Sequence, residues 1–394
     1  MKKLLLATAA GALIAGSAGA EEIKMGISLG FTGPLESMAP AMRDGAKLAM
    51  KEASDSGLLL DGSTVTAVEG DSTCADAAAA TATVERLITA EGVKGIVGGM
   101  CSGETIASLE NVAKPNGIVM ISPSATSPAL SVIEDNGLFF RTSPSDARQG
   151  EVMADILMER GIESVAVTYT NNDYGKGLAD SFQAAYEAKG GNVTVNSAHD
   201  DGKADYSAEV AALAAAGGDA LVVAGYVDQG GSGVVRASLD TGAFDTFVFP
   251  DGMIGTALLE NFGSEIDGSF GQNPAAEGEG RETYLKMAEE AGFDGAGAFS
   301  AEAYDAAALM LLAMAASGSS DPGIYKDKIM DVANEPGEKI MPGDLAKALE
   351  IINGGGDVDY VGATSVELVG AGESAGVYRE VAFSNGEMEI VGYR

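Results

Sequence analysis

Two short turns carry the residues whose types and spacing could do chemistry. The first reads Gly98-Gly99-Met100-Cys101-Ser102-Gly103-Glu104, the second Ile121-Ser122-Pro123-Ser124-Ala125-Thr126-Ser127-Pro128. Each follows a short apolar run, residues 95–97 and 117–121, of the kind that forms a buried parallel strand. After the first turn, Ile106, Leu109 and Val112 share a helical face. A small-residue turn between a strand end and a helix leaves hydroxyls and backbone N–H groups free, beside a partial positive charge. The chemistry on offer is the holding of a carboxylate, with Ser102 and Thr126 as the candidate hydroxyls. Polar turns after later apolar runs add Tyr174, Tyr226 and Asp251.

Grounds for catalysis are thin. Gly26-Ile27-Ser28-Leu29-Gly30 matches G-x-S-x-G by letters, but Ser28 falls inside a predicted strand rather than on a turn after it. The one histidine, His199, sits beside Asp200-Asp201 without further spaced metal ligands. Neither a P-loop nor a dinucleotide fingerprint occurs. The expectation is a protein that is not an enzyme and uses no cofactor or metal.

The elements that must position these turns alternate. Strands are predicted at 23–29, 65–69, 95–97 and 117–121, with helices over 38–54 and 76–88 and after the first turn. The pattern then restarts. Ser145 caps a helix with Val152, Ile156 and Leu157 on its apolar face. Strands at 164–169, 192–197, 219–224 and 247–249 alternate with helices over 178–188, 206–215 and 234–240. Such alternation means parallel sheets covered on both faces, and two runs of it mean two doubly wound α/β lobes. Ligands of open α/β sheets sit beyond the carboxyl ends of the strands, where all five polar turns fall. From about residue 273 the texture changes to helices over 282–291, 298–316, 325–332 and 344–353. Short strands at 365–368, 377–383 and 388–391 close the chain.

Residues 1–20 read as a cleavable secretory signal peptide. Lys2-Lys3 precede an apolar stretch over 4–15, and Ala18-Gly19-Ala20 supply the small-residue cleavage site. The later apolar run, 306–316, is too short to cross a membrane and reads as a core helix. The net charge of −34 disfavours nucleic acid and anionic membrane surfaces as partners. Cys74 and Cys101 each lie just past a predicted strand, and adjacent parallel strands would bring them together as a disulfide in an oxidising compartment.

Over its whole mature length the chain is similar to type I periplasmic substrate-binding proteins of ABC transporters, specifically the branched-chain amino-acid (Leu/Ile/Val) receptors. The stretches that carry the likeness are Cys101-Ser102, Ile121-Ser122-Pro123-Ser124-Ala125-Thr126, Asp173-Tyr174-Gly175-Lys176-Gly177, Gly225-Tyr226, Pro250-Asp251-Gly252 and Tyr304-Asp305-Ala306. The resemblance implies two lobes joined by a three-crossover hinge, with residues 21–143 and 273–375 in one lobe and 144–272 and 376–394 in the other. It implies that Ser102 and Thr126 bind the ligand's α-carboxylate, helped by backbone groups at Ser124 and Ala125. Tyr174 and Tyr226 would face them from the opposite lobe. Asp251 stands where the family usually has Glu, the partner of the α-ammonium. Met38 stands near a position where the receptors often carry an aromatic residue over the side-chain pocket. The implied function is a periplasmic receptor, expected to be monomeric, that captures a small neutral amino acid by hinge closure and delivers it to permease subunits. A sensing module docked on a chemoreceptor or sensor kinase would use the same clamp, and an exported hydrolase is a third reading.

Overall fold

The computed structural model describes residues 20–394, so the leader expected over 1–20 lies, apart from Ala20, outside the described residues. Ten strands come first: β1 (Glu22–Leu29), β2 (Thr64–Asp71), β3 (Ile96–Gly98), β4 (Met120–Ser122), β5 (Phe139–Arg141), β6 (Ser164–Thr170), β7 (Asn192–His199), β8 (Ala220–Ala224), β9 (Phe247–Phe249) and β10 (Phe270–Pro274). Six follow after a helical stretch: β11 (Glu338–Ile340), β12 (Val358–Tyr360), β13 (Leu368–Val369), β14 (Glu373–Ser374), β15 (Tyr378–Ser384) and β16 (Glu387–Tyr393).

They form two seven-stranded sheets, ordered β13-β14-β5-β4-β3-β1-β2 and β16-β15-β10-β9-β8-β6-β7. β1 to β5 pair parallel, as do β6 to β10. The inner strands, such as Ile96–Gly98 and Ala220–Ala224, are buried throughout, which is why they read as continuous apolar runs rather than alternating ones. β15 and β16 form an antiparallel hairpin through Asn385-Gly386, both at positive φ, the geometry a two-residue hairpin turn demands. The molecule is two doubly wound α/β lobes, as the sequence implied.

The chain passes between the sheets three times, after β5, after β10 and after β14. The sequence reading missed β5 and β10. Phe-Phe-Arg is too short to show a period, and Phe-Gly-Gln-Asn-Pro carries residues that ordinarily break strands. The strand expected at 365–368 shrinks to the start of β13.

The helix Ser300–Ser317 is buried from Ser300 to Ala315 and packs along the helix Ala39–Asp55. Gly45 permits the approach, because a Cβ there would stand 2.2 Å from the carbonyl oxygen of Ser300. Among the described residues no helix is long and apolar enough to cross a membrane.

Candidate functional site

The first wall of the site grows from the carboxyl ends of β3 and β4. Cys101 caps the helix Ser102–Ser108 and is bonded to Cys74, with Cα atoms 5.1 Å apart. The turn's own carboxylate serves that helix end: Glu104 Oε1 accepts from the N–H groups of Met100 (2.7 Å) and Cys101 (3.2 Å) and from Ser72 Oγ (3.1 Å). Burial nevertheless pushes the Glu104 carboxyl up to about 7.

Hydroxyls stitch the two turns together. Ser122 Oγ donates to the carbonyl of Gly99 at 2.7 Å, and Ser124 Oγ to that of Met100 at 2.7 Å. The N–H of Ser127 donates to Ser102 Oγ at 3.1 Å, which leaves the Ser102 proton for another acceptor. The backbone N–H groups of Ser124 and Ala125, expected to help hold a carboxylate, point instead at Ser122 Oγ at 3.3 and 2.9 Å. Thr126 is buried with its hydroxyl unpartnered.

The opposite wall comes from the second sheet. Tyr174 lies in the first turn of the helix Asp173–Ala188, capped by Asn172. Tyr226 follows β8 and Asp251 follows β9. The Tyr174 and Tyr226 rings stack with centroids 5.1 Å apart and planes at 11°. Tyr174 OH donates to Asp251 Oδ1 at 2.7 Å, and the Gly252 N–H reaches the same oxygen at 2.7 Å. Asp251 Oδ2 is buried without a partner. Burial pushes this carboxyl up to about 6, against the pull of the Tyr174 and Gly252 bonds.

Ser102, Ser124, Tyr174, Tyr226 and Asp251 meet around one small cavity of about 10 Å³. Ala125 and Thr126 lie in the same turn but outside its lining. Met38 is elsewhere: it faces a neighbouring recess with Gly255, Thr256 and Phe293. Leu35 lines the cavity in its place. The two residues close one turn, Met38 N–H donating to Leu35 C=O at 3.1 Å. Met100 and Phe299 complete the apolar lining. Phe299 holds φ 59°, ψ 7°, a conformation that is uncommon for a bulky side chain and that concentrates at functional sites.

Two further buried polar residues escaped the sequence reading. Asp146 opens the helix Asp146–Glu159 and is fully buried, as is Gln149. Oriented to suit both neighbours, the Gln149 amide donates to Asp146 Oδ1 at 2.8 Å and accepts from the Asp251 N–H at 3.2 Å. Asp146 Oδ2 is left without a partner. Burial, then the neighbouring Asp251, pushes the Asp146 carboxyl well above the usual carboxylate range.

The residues considered for catalysis are not assembled. Ser28 is buried within β1. His199 is buried against Thr168, with Nδ1 2.8 Å from its hydroxyl, and burial holds its pKa down to about 4. Among the described residues no group of three or more potential ligands is placed to hold a metal.

The lobes touch across the cleft. Ser37 N–H donates to Asp228 Oδ2 at 2.9 Å, and the Asp228 N–H to the carbonyl of Pro34 at 3.2 Å. Two α/β lobes, three crossings and a cavity between them define a two-lobed solute-binding protein. The family model described as periplasmic binding protein matches residues 22–331, and the chain belongs to that family. It is 30% identical over 361 residues to Leu/Ile/Val-binding protein homolog 1 of Brucella melitensis, covering 87% of this chain and 94% of the relative. It is 27% identical over 325 residues to the leucine-, isoleucine-, valine-, threonine-, and alanine-binding protein of Pseudomonas aeruginosa, covering 82% and 86%. Its fold matches that of the branched-chain amino acid transporter substrate binding protein LivJ from Streptococcus pneumoniae, solved with isoleucine, at TM-score 0.77 and 22% identity, covering 95% and 99%. The family and these relatives are binding proteins, not enzymes.

Proposed function

We propose that this chain is the extracytoplasmic substrate-binding receptor of an ABC importer for small neutral amino acids. It takes an aliphatic α-amino acid into the cleft, closes over it about the three crossings, and presents the closed form to permease subunits. Residues 21–143 with 273–375 form one jaw, and 144–272 with 376–394 the other. The protein acts as a monomer in the periplasm after removal of its leader.

One observation carries the reading. Ser102, with a proton to donate, and Asp251, with an unpartnered carboxylate oxygen, line one cavity from opposite lobes. A zwitterion leaving water needs both charges met. Here its carboxylate goes to Ser102 and the Thr126 hydroxyl and its ammonium to Asp251, so only a ligand with both charges bridges the jaws. Such differential contact is what shifts a hinge toward closure. Tyr174 and Tyr226 wall the ammonium end. Leu35, Met100 and Phe299 meet the side chain.

Thermal shift and calorimetry test this. One of L-leucine, L-isoleucine, L-valine, L-threonine or L-alanine, at 100 times its Kd, adds about 2.7 kcal/mol of stability. The 2-oxo acid matching the best ligand, which lacks the ammonium, gives no shift. Asp251→Ala weakens binding by about a hundredfold or more, as expected when one partner of a buried charge pair is removed, and leaves the melting temperature of the empty protein nearly unchanged. Unaltered affinity in that variant would refute the ammonium role.

A further inference from the structure

We propose that the empty clamp holds one proton between Asp146 and Asp251, and that the ammonium of the incoming amino acid displaces it, so that binding releases a proton to solvent. This inference rests on the receptor reading above.

The geometry that carries it is a pair of buried acids without a cation. Asp146 and Asp251 come from different elements, and the Gln149 amide links the Asp146 carboxylate to the backbone N–H of Asp251. Each keeps one carboxylate oxygen unpartnered. The nearest guanidinium is already committed. Arg141 directs Nε and Nη2 to Glu373 on β14 and Nη1 to the carbonyls of Ala125 and Ser127. Arg148, on the same helix as Asp146, pairs with Glu151 at 3.5 Å at an exposed position. The other titratable neighbours are tyrosines. Tyr174 donates to Asp251, and the Tyr226 hydroxyl lies 3.3 Å from the Asn172 amide. Tyr378, on β15, has a buried hydroxyl without a partner and feels the Asp146 charge most strongly of its neighbours. Nothing on the elements around the pair supplies a free positive charge.

Two like charges buried side by side do not both ionise, so the pair retains a proton. Burial raises both carboxyls, and Asp251 raises Asp146 further. An ammonium brings what is missing. It has three N–H donors, and the structure leaves two buried carboxylate oxygens without partners, Asp251 Oδ2 and Asp146 Oδ2. The exchange balances. The shared O–H proton leaves to water, both acids become carboxylates, and the ammonium keeps all its own protons. Around the two acids the net charge is the same before and after. Two other groups are distinguishable. Glu104 lies under the Ser102 turn at the carboxylate end, where a ligand's negative charge would draw a proton in, the opposite sign. His199 is held neutral against Thr168.

The test is calorimetry at about pH 6 in three buffers of different protonation enthalpy, with the tightest binder of the five amino acids named above. Expected is a net release of roughly 0.5–1 proton per ligand, with affinity falling up to about tenfold per pH unit toward acid and levelling off above about pH 8. Binding with a heat independent of buffer, or with proton uptake, overturns the exchange and leaves the receptor reading standing. No binding by any of the five overturns both. Asp146→Asn should bind more weakly and release less than the unaltered protein, since only Asp251 is left to give up a proton. Full release by that variant places the proton elsewhere and overturns the proposal. Should it fail to fold, the buffer series on the unaltered protein still decides.

Discussion

Ser127 Oγ on the first lobe donates to the backbone carbonyl of Asp173 on the second at 3.0 Å. The N–H of the same Ser127 donates to Ser102 Oγ. One residue therefore links a contact between the lobes to the hydroxyl proposed to hold the ligand. Removing the Ser127 hydroxyl deletes an inter-lobe bond but keeps the N–H contact. Ser127→Ala should cost about 1 kcal/mol of closed form, roughly a fivefold loss of amino-acid affinity. Calorimetry checks the affinity, and solution scattering with saturating ligand should still show the closed shape.

Arg141 is among the largest fully buried side chains, and Glu373 is its counter-ion across the seam between β5 and β14. Removing one partner of a buried pair leaves a charge without compensation. The Glu373 side chain is 21% exposed, so water relieves part of the penalty. Glu373→Ala should destabilise by about 2 kcal/mol, below the roughly 3–5 kcal/mol of a fully sealed pair. Arg141→Met with Glu373→Leu should recover most of that loss. Chemical denaturation of the three proteins measures both effects.

How far the sequence could lead depends on which signal each residue sends. Asp251 was legible because Pro-Asp-Gly after an apolar run places an acid at a strand's carboxyl end. Ser102 and Thr126 were legible for the same reason. Asp146 was hidden by a sufficient local explanation: an acid in the first turn after a Ser cap complements the helix dipole and needs no further role. Only burial reveals that it faces Gln149 and Asp251. Phe299 read as part of a helix, because a left-handed residue just before a helix has no signature in the letters. Leu35 and Met38 are equally apolar, and periodicity does not say which side of a turn meets the cavity. Local order is written in patterns of polarity, whereas the meeting of distant turns is written in packing.

The Cys74–Cys101 disulfide ties the ends of β2 and β3, and Cys101 lines the cavity directly before Ser102. Opening it frees a long loop in the unfolded chain and unpins the turn that holds Ser102. Cys74→Ser with Cys101→Ser should cost roughly 3–4 kcal/mol of stability. Affinity should fall as well, because the Ser102 turn loses its anchor. Denaturation midpoints and calorimetry, each with and without reductant, check this. The double variant should be insensitive to reductant while the parent is not.

Stability and binding should respond to pH in opposite directions. Burial raises the carboxyls of Glu104 and Glu302 to about 7 and that of Asp305 to about 6. For an acid raised on folding, the native state binds more protons than the unfolded state between the two pKa values. Stability therefore falls as pH rises through that window. The contribution is fully present below the ordinary carboxylate range, near pH 4, and is lost as pH climbs through about 6 to 7. Self-repulsion in a chain of net charge −34 acts in the same direction. Exposed acids whose pKa is lowered by ion pairs, such as Glu159 and Glu265, oppose this only below their ordinary range. The empty protein should thus melt several degrees higher at about pH 5 than at about pH 8. Amino-acid affinity should be lower at pH 5, where the acid pair keeps its proton. Melting curves with and without saturating ligand across this range separate the two: the ligand-induced shift should grow with pH as the baseline falls. A baseline that rises toward pH 8 would show that these buried acids are ionised in the folded protein.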